Sequence, residues 1–329
     1  MALFKRGKRE TPTDAPADEQ QVAASDASEA AADEVVVSEP VPEVGISFST
    51  FGKAAAPPSL SRPAAQAPAS RPTAGLPDNG LLRAALAALP EKPQNTDVMN
   101  IMRQALQGQL YLRVRGNAKQ LIADGQELTL AVSVIDDKRF LLAFSGGAAL
   151  QDSIRADGDI STSAVGQPAM NVFRNVLAGP YAGMIIDPAS PQARIVLPTP
   201  LIEKSVEEAD PAFTIKSLLA TPRTDATTTK VAEALATVKL WVAAGPADDE
   251  GRFGLAESRS PSGERRLEVF SHPLEVIALG RGDRPVPLTG AQLASALRGD
   301  DGITGVVVDP AGPWIALDRE QLAPVLSLA

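Results

Sequence analysis

The chain has 329 residues, a formal net charge of −9, no cysteine and a single histidine. This length accommodates about two domains. The lack of cysteine excludes disulfides and thiolate chemistry, the single histidine excludes a multi-histidine zinc site within one chain, and the acidic balance argues against a nucleic-acid partner.

The N-terminal quarter predicts a tail without a core. Residues 11–43 hold nine Asp or Glu and no Lys or Arg, and residues 54–77 are dominated by Ala, Pro and Ser. Such a composition cannot bury enough apolar surface to offset the entropy of ordering, so we expect residues 1–76 to be a disordered acidic, Ala/Pro-rich tail. No signal peptide and no run long enough for stable membrane insertion is recognised, which favours a cytoplasmic location.

One stretch of the tail is apolar. "VGISFSTFG", residues 44–52, places Ile46, Phe48 and Phe51 close together. One interpretation is a short peptide that docks on a protein partner or back on the chain's own domains, for example by adding a strand to a sheet. The other is a chance cluster of apolar residues. The sequence leaves both open.

After the tail, one pattern of elements occurs twice. "QALQGQLYLRV" matches "EALATVKLWVA", "RFLLAFSGGAAL" matches "RLEVFSHPLEVI", and "GMIIDPAS" matches "GVVVDPAG", in the same order and with similar spacing. Each copy reads as helix, strand, hairpin, helix, helix, strand, strand and helix. We therefore predict two tandem α/β (mixed α+β) domains, residues 77–210 and 211–329, each a mixed sheet with helices packed on it.

The repeated glycine–aliphatic–Asp-Pro motif is the most distinctive feature shared by the copies. Its aliphatic run lacks polar alternation, which indicates a strand covered on both faces. The proline after each aspartate ends the strand, and the carboxylate can bond a backbone N–H two residues on. We interpret these positions as structural turn motifs; they are Gly183, Asp187, Pro188, Gly305, Asp309 and Pro310.

These motifs resemble the SseB family, a bacterial family named for enhanced serine sensitivity, in a tandem version of the actinobacterial type. The resemblance covers about residues 80–208 well and 225–329 more weakly. It implies a mixed α/β fold and no established activity. The family pattern has Asn where Asp187 and Asp309 stand, and Thr where Ser145 and Ser271 stand. Asn and Asp both make turn hydrogen bonds, and Thr and Ser both cap helices, so the interchange favours structural roles.

Two functions remain open. The first is a non-catalytic protein-interaction or scaffold protein with an unknown protein partner. The alternative is a hydrolase-type enzyme that uses Asp187, Asp309 or His272 at an interdomain cleft. No nucleophile-elbow or phosphate-loop motif is present in the sequence, so we expect no catalytic signature, no cofactor and no metal.

Overall fold

The computed structural model describes residues 75–190, 194–246, 253–260 and 262–328. The candidate docking peptide around Ile46, Phe48 and Phe51 lies outside these residues, as does nearly all of the N-terminal tail. Both repeated regions lie in one compact unit. The expected mixed α+β architecture is confirmed, with several sheets and helices packed on them.

The first copy forms a six-stranded mixed sheet with helices on both faces. The strands follow the order β4-β1-β3-β5-β6, and β2 pairs with β3. The elements are α1 (Gly80–Ala87), α2 (Asn95–Ala105), β1 (Gln109–Arg115), α3 (Ala118–Ala123), β2 (Val132–Ile135), β3 (Lys138–Phe144), α4 (Gly147–Asp157), β4 (Thr162–Pro168), α5 (Ala169–Ala178), β5 (Gly183–Ile186), β6 (Ile195–Pro198) and α6 (Thr199–Glu208).

The second copy repeats most of this order. A four-stranded sheet, β13-β12-β10-β9, adjoins a three-stranded sheet, β11-β7-β8. The elements are α7 (Thr214–Ala220), α8 (Thr227–Thr237), β7 (Leu240–Pro246), β8 (Phe253–Leu255), β9 (Glu257–Arg259), β10 (Arg265–Val269), α9 (Pro273–Ile277), β11 (Arg284–Leu288), α10 (Gly290–Gly299), β12 (Ile303–Val308), β13 (Ile315–Asp318), a 3₁₀ helix (Arg319–Leu322) and α11 (Ala323–Leu326).

Strand pairing shows that the two copies share one topology. In each copy the motif strand runs parallel to the strand that ends in Phe-Ser, and antiparallel to the strand that follows it. The registers agree as well, because Phe140 lies opposite Gly183 and Arg266 lies opposite Gly305. Tyr111 pairs with Phe144 as Trp241 pairs with Phe270. Only the tandem duplication that the sequence predicts accounts simply for this correspondence.

The repeated glycines lie where two backbones approach closely. A Cβ atom at Gly183 would lie 2.3 Å from the carbonyl oxygen of Leu197, and one at Gly305 would lie 2.1 Å from that of Leu317. Both oxygens belong to the neighbouring antiparallel strand, so no side-chain rotation could relieve the clash. Glycine is therefore the residue that lets the motif strand pair at this point.

Each copy has its own apolar core on the helix-covered face of its sheet. In the first copy Leu141, Met184 and Leu197 point into a core that α1, α2, α5 and α6 cover. The segment that links the copies also belongs to this core, since Phe213 packs edge-on against Phe173 with ring centroids 6.5 Å apart. Leu274 of α9 is buried in the same cluster. The second copy therefore packs directly against the first.

Candidate functional site

Both repeated aspartates lie at the carboxyl ends of buried motif strands, where they adopt an unusual backbone conformation. Asp187 and Asp309 each have φ of +50°. The left-handed region is one that Asp and Asn tolerate better than other residues with a side chain, so it explains why either residue suits this corner.

Each carboxylate is tied to the serine that follows the neighbouring parallel strand. Asp187 Oδ1 accepts the Ser145 N–H at 2.8 Å, and Oδ2 accepts the Ser145 hydroxyl at 2.5 Å. Asp309 makes the same two bonds with Ser271, at 2.8 and 2.6 Å. The expected bond to a backbone N–H two residues on is replaced by this link between strand ends. We call each set of one aspartate and one serine an Asp–Ser corner.

The turns themselves are closed by backbone bonds rather than by the carboxylates. Ser190 N–H donates to the Asp187 carbonyl at 3.0 Å, and Gly312 N–H donates to that of Asp309 at 2.8 Å. The serines are also not the helix caps that the sequence suggested. Gly146 precedes α4 without a side-chain cap, and His272 caps α9. The serine hydroxyls donate to the corner aspartates instead.

Burial of the two carboxyls weakens their acidity. Asp187 is 4% exposed and Asp309 is 2% exposed. Desolvation raises the pKa of Asp187 to about 6, although the Ser145 bonds oppose the shift. Desolvation, reinforced by the nearby charge of Glu275, raises the pKa of Asp309 to about 7. Both groups therefore titrate close to neutral pH in the folded protein.

His272 is buried and has both ring nitrogens engaged. Nδ1 accepts the Leu274 N–H at 3.1 Å, which caps α9, and Nε2 lies 2.9 Å from the carbonyl oxygen of Ser205 on α6. This arrangement requires the tautomer with hydrogen on Nε2. Burial lowers the pKa of His272 to about 4, so the ring is neutral near pH 7. The histidine thus joins the second copy to the first.

A buried cluster of charges fills the seam between the copies next to His272. Glu275 of α9 accepts a hydrogen bond from Arg103 of α2 at 2.8 Å and a second from Lys216 of α7. The same Arg103 nitrogen donates to the Gly312 carbonyl at 3.0 Å. Burial alone would raise the pKa of Glu275, but the two cations outweigh it and hold the pKa below its usual range. We call Arg103, Lys216 and Glu275 the seam cluster.

The sequence predicted none of the three seam-cluster residues. Glu275 lies in the stretch "SHPLEV", but its partner Arg103 is 172 residues away, so no local spacing could have linked them. The copy-one counterpart of Glu275 is Ala149 and that of His272 is Gly146. Because the comparison of copies highlights what both share, a contact made by one copy alone left no signal.

The two corners have separate surroundings. The charges that act on Asp187 are those of Arg83 and Asp78, which form an ion pair with each other. Those that act on Asp309 are Glu275 and Lys216. Each aspartate thus interacts with the serine and the charges beside its own corner. The seam between the copies is packed with ion-paired side chains.

Among the described residues, no group of three or more His, Cys, Asp or Glu side chains is placed to hold a metal ion. Within the same part of the chain, no helix has the length and apolar character needed to cross a bilayer.

The family follows from a comparison with protein-family models. The model for the SseB protein N-terminal domain matches twice, at residues 82–204 and 215–324. The chain belongs to the SseB family. The two matches confirm the tandem arrangement that the repeated motifs indicated, while the exact limits 77–210 and 211–329 stay a prediction. Comparison with curated proteins and with solved structures finds no match.

Proposed function

We propose that this SseB-family protein is a non-catalytic interaction or scaffold protein of the bacterial cytoplasm. One observation carries the proposal: both Asp–Ser corners are buried and internally hydrogen-bonded. An acid or base must reach the proton it moves. Carboxylates that hold two strand ends together instead serve the shape of the sheet, and the family's Asn at this position would serve it equally.

The seam supports the same proposal. An enzyme with its site between two domains needs a cleft there, whereas the described residues fill the seam with the seam cluster, His272 and Leu274. A body of two domains fixed against each other presents a constant outer surface, which suits a protein that holds partners. We propose that Phe48 and Phe51, with Ile46, form the peptide through which a protein partner is recognised.

The hydrolase alternative keeps one observation in its favour. Strongly shifted pKa values cluster at functional sites, and Asp309 and His272 are both shifted. However, Asp309 is bonded to Ser271 through both oxygens, and His272 uses both nitrogens for backbone groups. The alternative therefore requires the second copy to open at the seam before any chemistry.

Affinity capture from the native cell tests the proposed function. The 329-residue chain is compared with a Phe48→Ala/Phe51→Ala variant and with Phe4→Ala, a matched loss of an aromatic side chain elsewhere in the tail. We expect a partner that Phe4→Ala retains and the double variant loses, and the same order of affinities with the purified partner. An unchanged set of partners in the double variant would remove the peptide from the proposal.

A further inference from the structure

The first sheet has an apolar outer face that its helices cover only in part. Residues alternate along a strand, so the neighbours of the core-facing Leu141, Met184 and Leu197 point to the opposite side. Helix α4 covers one end of that side, around Tyr111 and Phe144. The other apolar residues on this side, which we call the outer face, are Ile135, Phe140, Leu142, Ile185 and Val196; Leu142 packs against the α4 cluster and Ile185 is buried. Ile135 is 44% exposed and Val196 is 42% exposed.

The second copy is charged at two of the equivalent positions and apolar at two others, Val307 and Ala316. Register places Arg266 where the first copy has Phe140, and Glu268 where it has Leu142. These charges are paired: Arg266 lies 2.7 Å from Asp318, and Glu268 lies 2.5 Å from Arg281. The two sheets thus differ in charge at these two positions. Exposed apolar side chains such as Ile135 and Val196 are candidates for an interaction site.

The described chain begins on this same side of the first sheet. Leu76 packs against the cluster of Tyr111 and Phe144, and the Tyr111 hydroxyl donates to the Pro77 carbonyl at 2.7 Å. The described chain therefore begins, at Gly75 and Leu76, on the side of the sheet that carries the outer face. The segment that precedes this point in the sequence is the protein's own N-terminal region.

That region contains a segment whose pattern fits the face. Val44, Ile46 and Phe48 alternate with small or polar residues, as in a strand with one apolar side, and Phe51 follows. Between Phe51 and Leu76 lie 24 residues (76 − 51 − 1). Such a length spans up to ~80 Å, whereas β1 and β6 are three strand spacings, or ~14 Å, apart.

Edge geometry and charge agree with the same occupant. Among the described strands β6 pairs only with β5, so it is an edge strand of the first sheet, the kind of position to which a further strand can be added. The exposed side chains of Lys138 and Arg194 lie at the starts of β3 and β6, at the rim of the outer face. Nine acidic residues precede the segment within residues 11–43. Opposite charges near the two surfaces favour their encounter.

We propose that residues 44–51 dock on the outer face of the first sheet of their own chain, with Ile46, Phe48 and Phe51 against Ile135, Phe140 and Val196. The inference rests on the proposed function in one respect, namely that residues 44–51 are the docking element. It adds that the segment is held by the protein itself until a partner displaces it.

Site-specific photo-crosslinking of the full chain tests this proposal. p-Benzoyl-phenylalanine replaces Phe48, the purified protein is irradiated at low concentration, and the crosslinked peptides are identified by mass spectrometry. We expect crosslinks within one chain to residues 132–142 or 183–198. Crosslinks within one chain to other regions, crosslinks only between two chains, or none at all would each overturn the proposal.

Substitutions on the face make the test specific. Ile135→Lys and Val196→Lys change half-exposed side chains, so the fold tolerates them, and each should lower the crosslink yield about tenfold because an ammonium resists burial in an apolar contact. Ile277→Lys in the second copy is the matched control, since Ile277 is also 42% exposed, and should leave the yield unchanged. Persistence of the crosslink in both face variants would contradict the proposal. Partner capture tests the proposed function separately and can fail while the crosslink forms.

Discussion

At the scale of single residues, the geometry of the Asp–Ser corner explains how an acidic side chain can be buried at a position whose proposed role is structural. A left-handed conformation at φ of +50° favours Asp or Asn, and the side-chain oxygens hold the end of the neighbouring strand. Near neutral pH the aspartate has a cost that Asn would not have, because its carboxylate is charged in a desolvated position. Two donors from the serine offset part of this cost.

The pH dependence of stability should reveal this cost. The folded-state pKa values of about 6 for Asp187 and 7 for Asp309 lie above the ordinary 3.8, so the stability these groups contribute is complete below about pH 4 and is lost as pH rises through 6 to 7. We expect Asp187→Asn/Asp309→Asn to match the parent near pH 3.5 and to exceed it at pH 8, by about 3 kcal/mol at the Asp187 site and about 4 kcal/mol at the Asp309 site. Urea unfolding at a series of pH values measures the difference.

Comparing the stability of variant and parent at each pH separates the effect of the Asp–Ser corners from that of the other titrating groups. His272, with its pKa lowered to about 4, and Glu275, with its pKa held low by two cations, act in the opposite direction, because their contribution is lost as pH falls. Both residues are unchanged in the Asn variants, so the difference removes their effect except for the coupling between Glu275 and Asp309, which Asp187→Asn alone avoids. An equal loss of stability with rising pH in variant and parent would contradict the assignment.

The motif glycines give a second prediction at this scale. In Gly305→Ala the new Cβ would meet the Leu317 carbonyl and lie 3.1 Å from the Asp318 Cα, and neither atom can rotate away. We expect a loss of at least about 2 kcal/mol in the free energy of unfolding, and a similar loss for Gly183→Ala. Ser295→Ala on the exposed side of α10 is the control and should change little.

At the scale of elements, the sequence predicted what depends on local pattern. The hairpin between β2 and β3 is confirmed, with Asp136 and Asp137 at positive φ between the paired strands. The motif strand β5 is buried along its whole length, as expected of a strand covered on both faces. Strands β4 and β11 were missed. Pro285 and Pro287 break the strand signal of β11, and the structure shows why they are tolerated: β11 is an edge strand, where an absent N–H leaves no ladder bond unmade.

Helix α9 shows what local pattern could not predict. It spans only Pro273–Ile277, and its buried residues include Glu275 as well as Leu274 and Val276. A charged residue in a short helix ordinarily indicates a solvated face. Here the face is covered by the other copy, which supplies Arg103. The role of α9 therefore became evident only from the packing of the copies.

Removal of the Glu275 carboxylate should be costly. Glu275→Ala would leave Arg103 and Lys216 buried beside each other without an anion, so we expect a loss of about 3–5 kcal/mol in the free energy of unfolding. Asp152→Ala is the matched control, since it removes the anion of the exposed pair with Arg155, and should cost less than about 1 kcal/mol. Chemical denaturation of both variants measures the contrast, and equal losses would contradict the role of the seam cluster.

At the scale of the whole molecule, the two copies behave as one body. The seam cluster, the His272–Ser205 bond and the Leu274 contact all join second-copy residues to the first copy. Their first-copy counterparts Gly146 and Ala149 lack the side chains to repeat this contact elsewhere. Duplication thus supplied two similar domains, and divergence in α9 joined them.

Cooperative unfolding should follow from this packing. We expect a single calorimetric transition for the described body, with equal van't Hoff and calorimetric enthalpies. Because the chain has no cysteine, spin labels at Asn171→Cys on α5 and Ser295→Cys on α10 can report the separation of the copies without background. A narrow distance distribution is expected. Two separated transitions, or a broad distribution, would show that the copies move independently.

The proposed role of the repeated aspartates is to shape the fold without transferring protons. It is tested most directly by returning Asp187→Asn/Asp309→Asn to cells that lack the protein and comparing their proteome and metabolite levels with cells that received the parent. At equal abundance of folded protein, we expect the variant to restore every change that the parent restores. Failure to restore them would show that the carboxyl groups themselves are needed, and would contradict this account.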